Sequence, residues 1–241
     1  MKKIITIAIM ACALVSTAFA EDQAYKKVRL GFTADYTMSV MSQVNTELNR
    51  GTGVTAIGPG VSGMVNLDVV LLPVLMAGVR GGYLYCMPAT AIYLAGTVKE
   101  TFNASLIPAE AGVTANLEIP NMPLSVMVGA FGGYGYAMSS VKKDIIGNVS
   151  YTQPYTGGNF IGEVVGTINY KLSSSLSLNI NGGYRLANIT QLTQSEDVTY
   201  TLVGVPVSAG AKGDVLKDSS GKTLAFDFSG FNAGVGFSLG F

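Results

Sequence analysis

Nine charged side chains stand at alternate positions within segments that are otherwise apolar or rich in glycine. They are Arg29, Asp35, Asp68, Arg80, Glu110, Glu118, Glu163, Lys171 and Arg185. Carboxylates and cationic side chains enclosed in a narrow space form ion pairs, and paired carboxylates also serve in general acid–base catalysis. The chain has no histidine, so a Ser–His triad is excluded and a zinc site lacks its commonest ligand. We therefore expect a structural charge network in preference to a proton or ion path, with no catalytic residue, no metal ligand and no cofactor.

The segments that carry these charges alternate in polarity. From residue 27 to residue 40, apolar side chains occupy the even positions, and charged, polar or glycine residues occupy the odd ones. The last eleven residues, FNAGVGFSLGF, repeat this alternation and end on Phe241. A period of two is typical of a β-strand whose two faces meet different surroundings.

Eight such strands are predicted along the chain. They span residues 27–41, 59–72, from the turn at Pro73 to about Met87, 109–119, 124–138, 159–172, 176–187 and 231–241. Tight turns follow the second, fourth and sixth strands, whereas loops at 43–58, 88–108, 139–158 and 193–222 follow the others. The apolar piece at 91–95 fits either a strand extension or a short helix.

Composition indicates where such strands could lie. Apolar residues make up 49% of the chain and charged residues 12%, yet no run after residue 20 is long and apolar enough for a spanning helix. A β-protein in contact with lipid must close into a barrel, because every backbone polar group needs a partner within the protein. An even number of long strands with alternating short and long connections is typical of outer-membrane barrels. The predicted fold is therefore all-β: an eight-stranded antiparallel up-and-down transmembrane β-barrel with short periplasmic turns and long external loops.

Aromatic residues and turn lengths refine this prediction. An outer aromatic belt is expected at the strand ends that face the long loops, where rings suit the lipid boundary. Its members are Tyr36, Tyr83, Tyr85, Tyr134, Tyr136, Phe160 and Tyr184. Three-residue turns that pair Leu172 with Leu176, and Leu72 with Met76, would place Glu163 opposite Arg185 and Asp68 opposite Arg80.

The first twenty residues have the pattern of a secretory signal peptide. Lys2 and Lys3 precede an apolar run, and Ala18 and Ala20 form an A-x-A cleavage site before Glu21. The mature chain, residues 21–241, would be a single outer-membrane β-barrel domain. Loss of Lys2 and Lys3 leaves thirteen basic and fifteen acidic residues, so nothing suggests nucleic acid as a partner. Cys86 would be the one remaining cysteine, so no internal disulfide is expected.

The signal peptide, the eight alternating strands, the loop asymmetry and the terminal Phe together resemble the small eight-stranded outer-membrane barrels of the OmpA-like, OmpX-like and opacity-type group. The resemblance covers the whole mature chain through pattern, without a diagnostic motif. It implies a monomer in outer-membrane lipid with a structural or surface-interaction role, its external loops meeting a surface or host ligand. It also implies that the barrel-assembly machinery reads the terminal strand. The residues of that assembly signal are Phe231, Val235, Phe237, Leu239 and Phe241.

Two other functions fit the same pattern. An eight-stranded lumen is just filled by side chains, so a largely plugged barrel is expected. Inward glycines would nevertheless leave room for a narrow conduit that passes small apolar molecules; these are Gly129, Gly133, Gly135, Gly183, Gly234 and Gly236. The second alternative is a soluble secreted β-barrel that binds an apolar ligand.

Overall fold

A computed structural model describes residues 28–145, 149–202 and 205–241. The predicted signal peptide, with its cleavage site at Ala18, Ala20 and Glu21, lies outside these residues. The elements of the described chain are β1 (Val28–Ser39), α1 (Ser42–Leu48), β2 (Pro59–Leu72), β3 (Leu75–Tyr93), a 3₁₀ turn (Leu94–Gly96), β4 (Val98–Glu118), β5 (Leu124–Ile145), β6 (Val149–Lys171), β7 (Leu176–Leu186), β8 (Asn188–Ile189), β9 (Thr193–Gln194), β10 (Val198–Leu202), β11 (Val205–Gly210), β12 (Phe226–Asp227) and β13 (Gly230–Gly240).

Eight of these strands form a closed antiparallel ring. Its order is β1, β2, β3, β4, β5, β6, β7 and β13, and β13 pairs back onto β1. At this seam Arg29 lies opposite Gly240, and Ser39 lies opposite Gly230. The Phe241 backbone N–H donates to the Val28 carbonyl at 2.9 Å and extends the pairing. The predicted eight-stranded barrel is confirmed, and its ring leaves no unpaired sheet edge.

The two register predictions have different outcomes. Glu163 lies opposite Arg185, as the serine turn predicted. The pairing of Asp68 with Arg80 is wrong, because Arg80 lies opposite Asn66, and Asp68 lies opposite Gly78. The turn pairs Leu72 with Leu75 in place of Met76, and an irregularity between Val70 and Leu72 shifts the register by one more residue. Bulges of this kind insert an extra residue into one strand, so loop length alone does not set the register.

Two of the predicted external loops are largely strands. In place of a loop at 88–108, β3 continues to Tyr93 and β4 begins at Val98. Of the apolar piece at 91–95, residues 91–93 are therefore strand extension, and residues 94–95 belong to the 3₁₀ turn. In place of the loop at 139–158, β5 continues to Ile145 and β6 begins at Val149. The alternation fails at these points for two reasons. In the β3–β4 pair, a register shift between Cys86 and Ala89 changes which positions face inward. In β5 and β6, the outward positions beyond the lipid are polar, so the apolar face of the alternation is lost.

The outer end of the barrel encloses an apolar core. Inward residues such as Leu84 and Leu106 join Val44 of α1 in this core, together with Ile189 and Phe226 from residues 187–192 and 216–228. These five side chains have no solvent exposure. The predicted loops at 43–58 and 193–222 therefore contain structured pieces, α1 and β9–β11, that pack within or over the barrel mouth. Within the described ranges no helix is long and apolar enough to cross a bilayer.

Candidate functional site

The exterior of the ring carries apolar side chains that no other part of the described chain covers. Val65, Val128 and Val235 are 45%, 53% and 58% exposed, and similar residues project from every strand of the ring. A continuous apolar surface of this extent is not stable in water, and soluble monomers rarely show one. The closed ring satisfies its own backbone hydrogen bonds, as lipid requires. The chain therefore forms a closed β-barrel of the kind that spans a membrane.

The predicted belt aromatics all lie on this exterior. Tyr134 and Phe160 meet edge to face with centroids 6.1 Å apart, and Tyr184 meets Phe231 in the same way at 4.9 Å. Tyr36, Tyr83, Tyr85 and Tyr136 are likewise exposed. Beyond them the outward positions of β5 and β6 become polar, as at Lys142 and Thr152. The aromatic level therefore coincides with a change from an apolar to a polar outer surface.

A buried ion-pair hub crosses the lumen at Glu163. The Glu163 Oε2 atom lies 2.9 Å from both Nε and Nη2 of Arg185, and 3.0 Å from Nη2 of Arg80. The Glu163 Oε1 atom accepts a hydrogen bond from Asn232 Nδ2 at 2.7 Å. Arg80 Nε also pairs with Glu110 Oε2 at 2.8 Å. Four strands of the ring are joined by these ion pairs, and β13 joins them through Asn232.

Arg80 is held by an aromatic ring as well as by carboxylates. Its guanidinium carbon lies 3.9 Å from the centroid of the Phe131 ring. A guanidinium over a ring face gains cation–π attraction, and more so where water is excluded. Phe131 lies on β5, so this contact adds a sixth ring strand to the cluster of Arg80 and Glu163.

Arg29 occupies the inner part of the lumen with mostly neutral partners. Its guanidinium donates to Asn169 Oδ1 at 3.3 Å and to Asn179 Oδ1 at 3.1 Å. Asp68 lies opposite Arg29 in the β1–β2 register and accepts from Asn66 Nδ2 at 2.6 Å. Asp68 is therefore the register partner of Arg29 and not of Arg80.

Asp35 is a buried carboxylate whose hydrogen-bond partners are neutral. It is 6% exposed, and its oxygens accept hydrogen bonds from Asn181 Nδ2 and from Ser62 Oγ. No basic group in the described part of the chain lies within 4 Å of it. Asp68 likewise has no basic group of the described chain within 4 Å. The enclosed groups are three arginines and four carboxylates, which together carry one net negative charge.

Two of the nine predicted network residues lie outside the lumen. Lys171 Nζ pairs with Glu118 Oε1 at 2.7 Å, but their side chains are 46% and 62% exposed. Both residues stand at the inner ends of their strands, where the barrel opens to water. Their expected place in the enclosed network is therefore wrong, because alternation predicts the facing of a residue but not its depth.

The inward glycines do not leave the free space that a conduit requires. A Cβ on Gly129 would lie 2.6 Å from the Phe131 ring, and one on Gly135 would lie 2.9 Å from Leu106. At these positions neighbouring side chains already occupy the space above the glycine. Because these glycines have no side chain, the larger side chains of neighbouring residues can occupy the lumen there.

The remaining internal space lies toward the inner end. A central cavity of about 80 Å³ is lined by Asp35, Arg80 and Glu163, with room for several water molecules. A vestibule of about 650 Å³ lies at the inner mouth, and Arg29 and Met76 line both spaces. The apolar core described above closes the outer side.

Sequence reasoning missed the neutral partners of this network. Asn179, Asn181 and Asn232 hold charged groups, and their inward positions on glycine-rich strands were the available signal. In the described residues no cluster of His, Cys, Asp or Glu side chains is arranged to hold a metal ion.

Comparisons with known proteins give structural similarities without sequence matches. No protein-family model and no curated protein matches the sequence. The chain is similar in structure to Neisserial surface protein A, with 12% identity and a TM-score of 0.44 over 91% of this chain and 100% of that chain. It is also similar to Ail, the attachment invasion locus protein of Yersinia pestis, with 8% identity and a TM-score of 0.41 over 90% and 100%. The outer membrane protease OmpT from Escherichia coli shows 10% identity and a TM-score of 0.45 over 92% and 99%.

Proposed function

We propose that the protein is a largely plugged outer-membrane barrel whose outer end serves as an interaction surface. The observation that carries this proposal is the apolar core at the outer end. Its members come from inward positions of the strands, from α1 and from residues 187–192 and 216–228, and its interior side chains are almost fully buried. A polar solute or ion that entered from the inner vestibule would have to cross this core.

The ion-pair hub supports the same proposal. Glu163 binds two arginines at once, and Arg80 bridges Glu163 and Glu110 across the lumen. Charges enclosed in this way are costly to separate, since each would be left buried without a partner. The hub therefore favours a fixed structural role over a path for ions.

The projecting strands support a role on the outer side. β5 continues for nine residues beyond Tyr136, to Ile145, which corresponds to roughly 30 Å along the strand. β6 pairs with it along this length. The projecting walls and the structured segments between them form a shaped surface of the kind that suits recognition of a surface or host ligand.

The aromatic belt and the terminal strand complete the proposal. The exposed tyrosines would anchor the barrel in outer-membrane lipid, where the exterior becomes polar. The outward side chains of β13, including Phe237 and Phe241, would be read by the barrel-assembly machinery during insertion of the chain as a monomer. Phe241 would serve in addition as part of the seam with Val28.

Single-channel recording in a planar bilayer tests the plug. We expect the folded protein to show no steady conductance. Replacement of Phe226 and Phe228, both almost fully buried in the outer core, by Ala should produce conductance if that core is the barrier. Stable conductance of the unaltered protein would contradict the plug and favour the narrow conduit.

Site-specific labelling of intact cells tests the orientation. Ser220 and Ser174 are exposed serines at the outer and inner ends of the barrel. A membrane-impermeant maleimide should label Ser220→Cys on intact cells, and Ser174→Cys only after the cells are opened. Cys86 is buried and is not expected to react. Labelling of Ser174→Cys alone on intact cells would reverse the orientation and overturn the surface role.

The two alternatives make different predictions. The central cavity and the inner vestibule favour a conduit, but the outer core opposes it. The uncovered apolar exterior opposes a soluble secreted barrel, which would remain in solution without detergent. A folded protein that pellets with membranes and requires detergent for extraction would exclude the soluble form.

A further inference from the structure

The central cavity of the lumen is a feature that the plug does not require. Its volume is about 80 Å³, which is room for several water molecules. Met64, Met127 and Phe131 form apolar parts of its wall, and polar side chains form the rest. Arg29 and Met76 line both this cavity and the inner vestibule. The cavity therefore adjoins the space through which a small ion would enter from the inner mouth.

The ion-pair hub beside this cavity is balanced by itself. Arg80 pairs with Glu110 and with Glu163, and Arg185 pairs with Glu163. Two positive and two negative charges leave the hub with no net charge. The net negative charge of the lumen therefore comes from the enclosed groups outside the hub.

Those remaining groups are Arg29, Asp35 and Asp68, all of which line the central cavity. Asp68 faces Arg29 in the β1–β2 register, although no nitrogen of Arg29 lies within 4 Å of the carboxylate. Asp35 lies six residues from Arg29 along β1, which corresponds to roughly 20 Å in an extended strand. Asp35 is therefore the carboxylate whose charge is least offset.

Oxygen atoms around Asp35 form a site for a hard cation. The Asp35 carboxylate accepts hydrogen bonds from Asn181 and Ser62, and a carboxylate has about four lone-pair positions in all. The Asn181 Oδ1 atom is buried and accepts no hydrogen bond from the described residues. Asn181 is 8% exposed and lines the cavity together with Asp35 and Thr33. A buried acceptor without a donor is costly, and a cation in the cavity would satisfy it.

A glycine brings these oxygen atoms together. Asp35 faces Gly234 on β13, and Gly234 faces Asn181 on β7. A Cβ on Gly234 would collide with Asp35 Oδ1. The absence of a side chain on β13 therefore lets a carboxylate and an amide meet from two strands that are not neighbours in the ring.

We propose that the central cavity binds one small monovalent cation of the sodium type beside Asp35, with Asn181 Oδ1 and the Thr33 hydroxyl as further oxygen ligands. One positive charge offsets the one net negative charge of the enclosed groups, whereas a divalent ion would leave an excess. Hard cations take oxygen ligands and can keep part of their water. The inference goes beyond the surface role and concerns a bound ion, not a conducted one. It also departs from the expectation, drawn from residue types, that no side chain binds a metal.

Equilibrium unfolding in urea tests the proposal on the full chain in phosphatidylcholine vesicles, with tyrosine fluorescence as the measure of the folded fraction. Sodium chloride replaces choline chloride at constant total salt. Methyl groups cover the charge of choline, so oxygen atoms cannot approach it closely. We expect a saturable gain in stability with sodium. At about ten times the dissociation constant, the ratio of folded to unfolded protein should be about tenfold higher than in choline.

Matched variants assign this effect to the lumen. Asp35→Asn removes the charge and should abolish the gain with sodium, while in choline alone it should be at least as stable as the unaltered protein. Asn181→Ala removes the Oδ1 ligand and should reduce the gain. Asp144→Asn makes the same chemical change at an exposed carboxylate of the outer end and should keep the full gain. Each comparison is between two salts for one variant, so a change in overall stability does not obscure it.

Equal stability of the unaltered protein in the two salts would overturn the proposal, and a proton or water would then serve Asp35. A gain that persists in Asp35→Asn, or that is lost equally in Asp144→Asn, would also overturn it. Sodium NMR gives a measure that needs no variant: the barrel should broaden the sodium signal more than empty vesicles do, and equal broadening would reject the site. Electrical silence in a planar bilayer is expected in either case, so the plug and the cation site are tested separately.

Discussion

Removal of the charge of Glu163 is the sharpest perturbation of the lumen. In Glu163→Gln both Arg80 and Arg185 lose the carboxylate that lies within 3.0 Å of them, while an amide oxygen can still accept from Asn232. Loss of one partner of a buried ion pair typically costs about 3–5 kcal/mol. The substitution also equalises the enclosed charges at three positive and three negative, which reduces the penalty. We therefore expect a loss of about 3 kcal/mol in the free energy of unfolding.

The exposed pair at the inner rim provides the control. Glu118→Gln removes a carboxylate that forms an ion pair of similar length with Lys171, but both side chains are about half exposed. Solvent screens such pairs, and their contribution is about 0–1 kcal/mol. The two variants thus change the same chemical group in the same barrel and differ in burial.

Equilibrium unfolding in urea measures both variants in lipid vesicles. The chain contains no tryptophan, so tyrosine fluorescence and migration in SDS without boiling report the folded fraction. We also expect Arg185→Gln to cost less in the Glu163→Gln background than alone, because the shared interaction is already lost. Costs for Glu163→Gln and Glu118→Gln that agree within about 1 kcal/mol would refute the buried hub as a source of stability.

Four further predictions concern single positions. Asp35→Asn removes a buried carboxylate that no basic group of the described chain approaches within 4 Å, and it equalises the enclosed charges. Urea unfolding should therefore show no loss of stability or a gain; a loss as large as that of Glu163→Gln would contradict the charge count. Val128→Arg should lower the free energy of unfolding by about 2–4 kcal/mol, because Val128 faces outward near mid-membrane. Thr152→Arg, which faces outward on β6 beyond the belt, should change the free energy of unfolding little. Equal losses would show that the assigned membrane level is wrong. Deletion of Phe241 should lower the yield of folded barrel without lowering synthesis, as measured by the ratio of folded to boiled bands, and an unchanged ratio would count against both the seam and the assembly signal. Burial raises the pKa of Tyr155 to about 12, above the unfolded value of 10.0, so its contribution to stability is present below pH 10 and is lost as pH rises toward 12. Tyr155→Phe should remove a late step from the tyrosinate absorbance titration. An unchanged titration would refute the burial of the phenol.

Local features of the chain explain why the barrel was predictable. The alternation in β1 and β13 indicates two strand faces with different surroundings. The bounds of β2, Pro59–Leu72, were predicted as observed. Facing follows from the period of two, which holds for each strand by itself. The prediction failed where the surroundings changed along a strand, as in β5 beyond Tyr136, since a strand that leaves lipid has no apolar outward face.

The candidate site was predictable in its residue types but not in its contacts. The inward facing of Arg80, Glu163 and Arg185 follows from alternation, and the short turn after β6 set one pairing correctly. The partners of Arg80 were missed because a register irregularity in the β2–β3 hairpin moved it opposite Asn66. Arg80 and Glu163 lie on strands that are not neighbours in the ring, so their ion pair spans the lumen. A pattern within one strand cannot predict a contact between strands that far apart.

By itself the amino-acid sequence determined the strand period, the number of strands, the apolar exterior and the positions of the short turns, because each depends on residues close together in the chain. Tertiary structure alone decided which carboxylate pairs with which arginine, and that Asp35 has no basic group within 4 Å. It also decided that α1 and residues 187–192 and 216–228 close the outer end. The physical reason is that these outcomes depend on depth in the barrel and on contacts across it. Both are set only when the ring closes and side chains from distant strands compete for the same small volume.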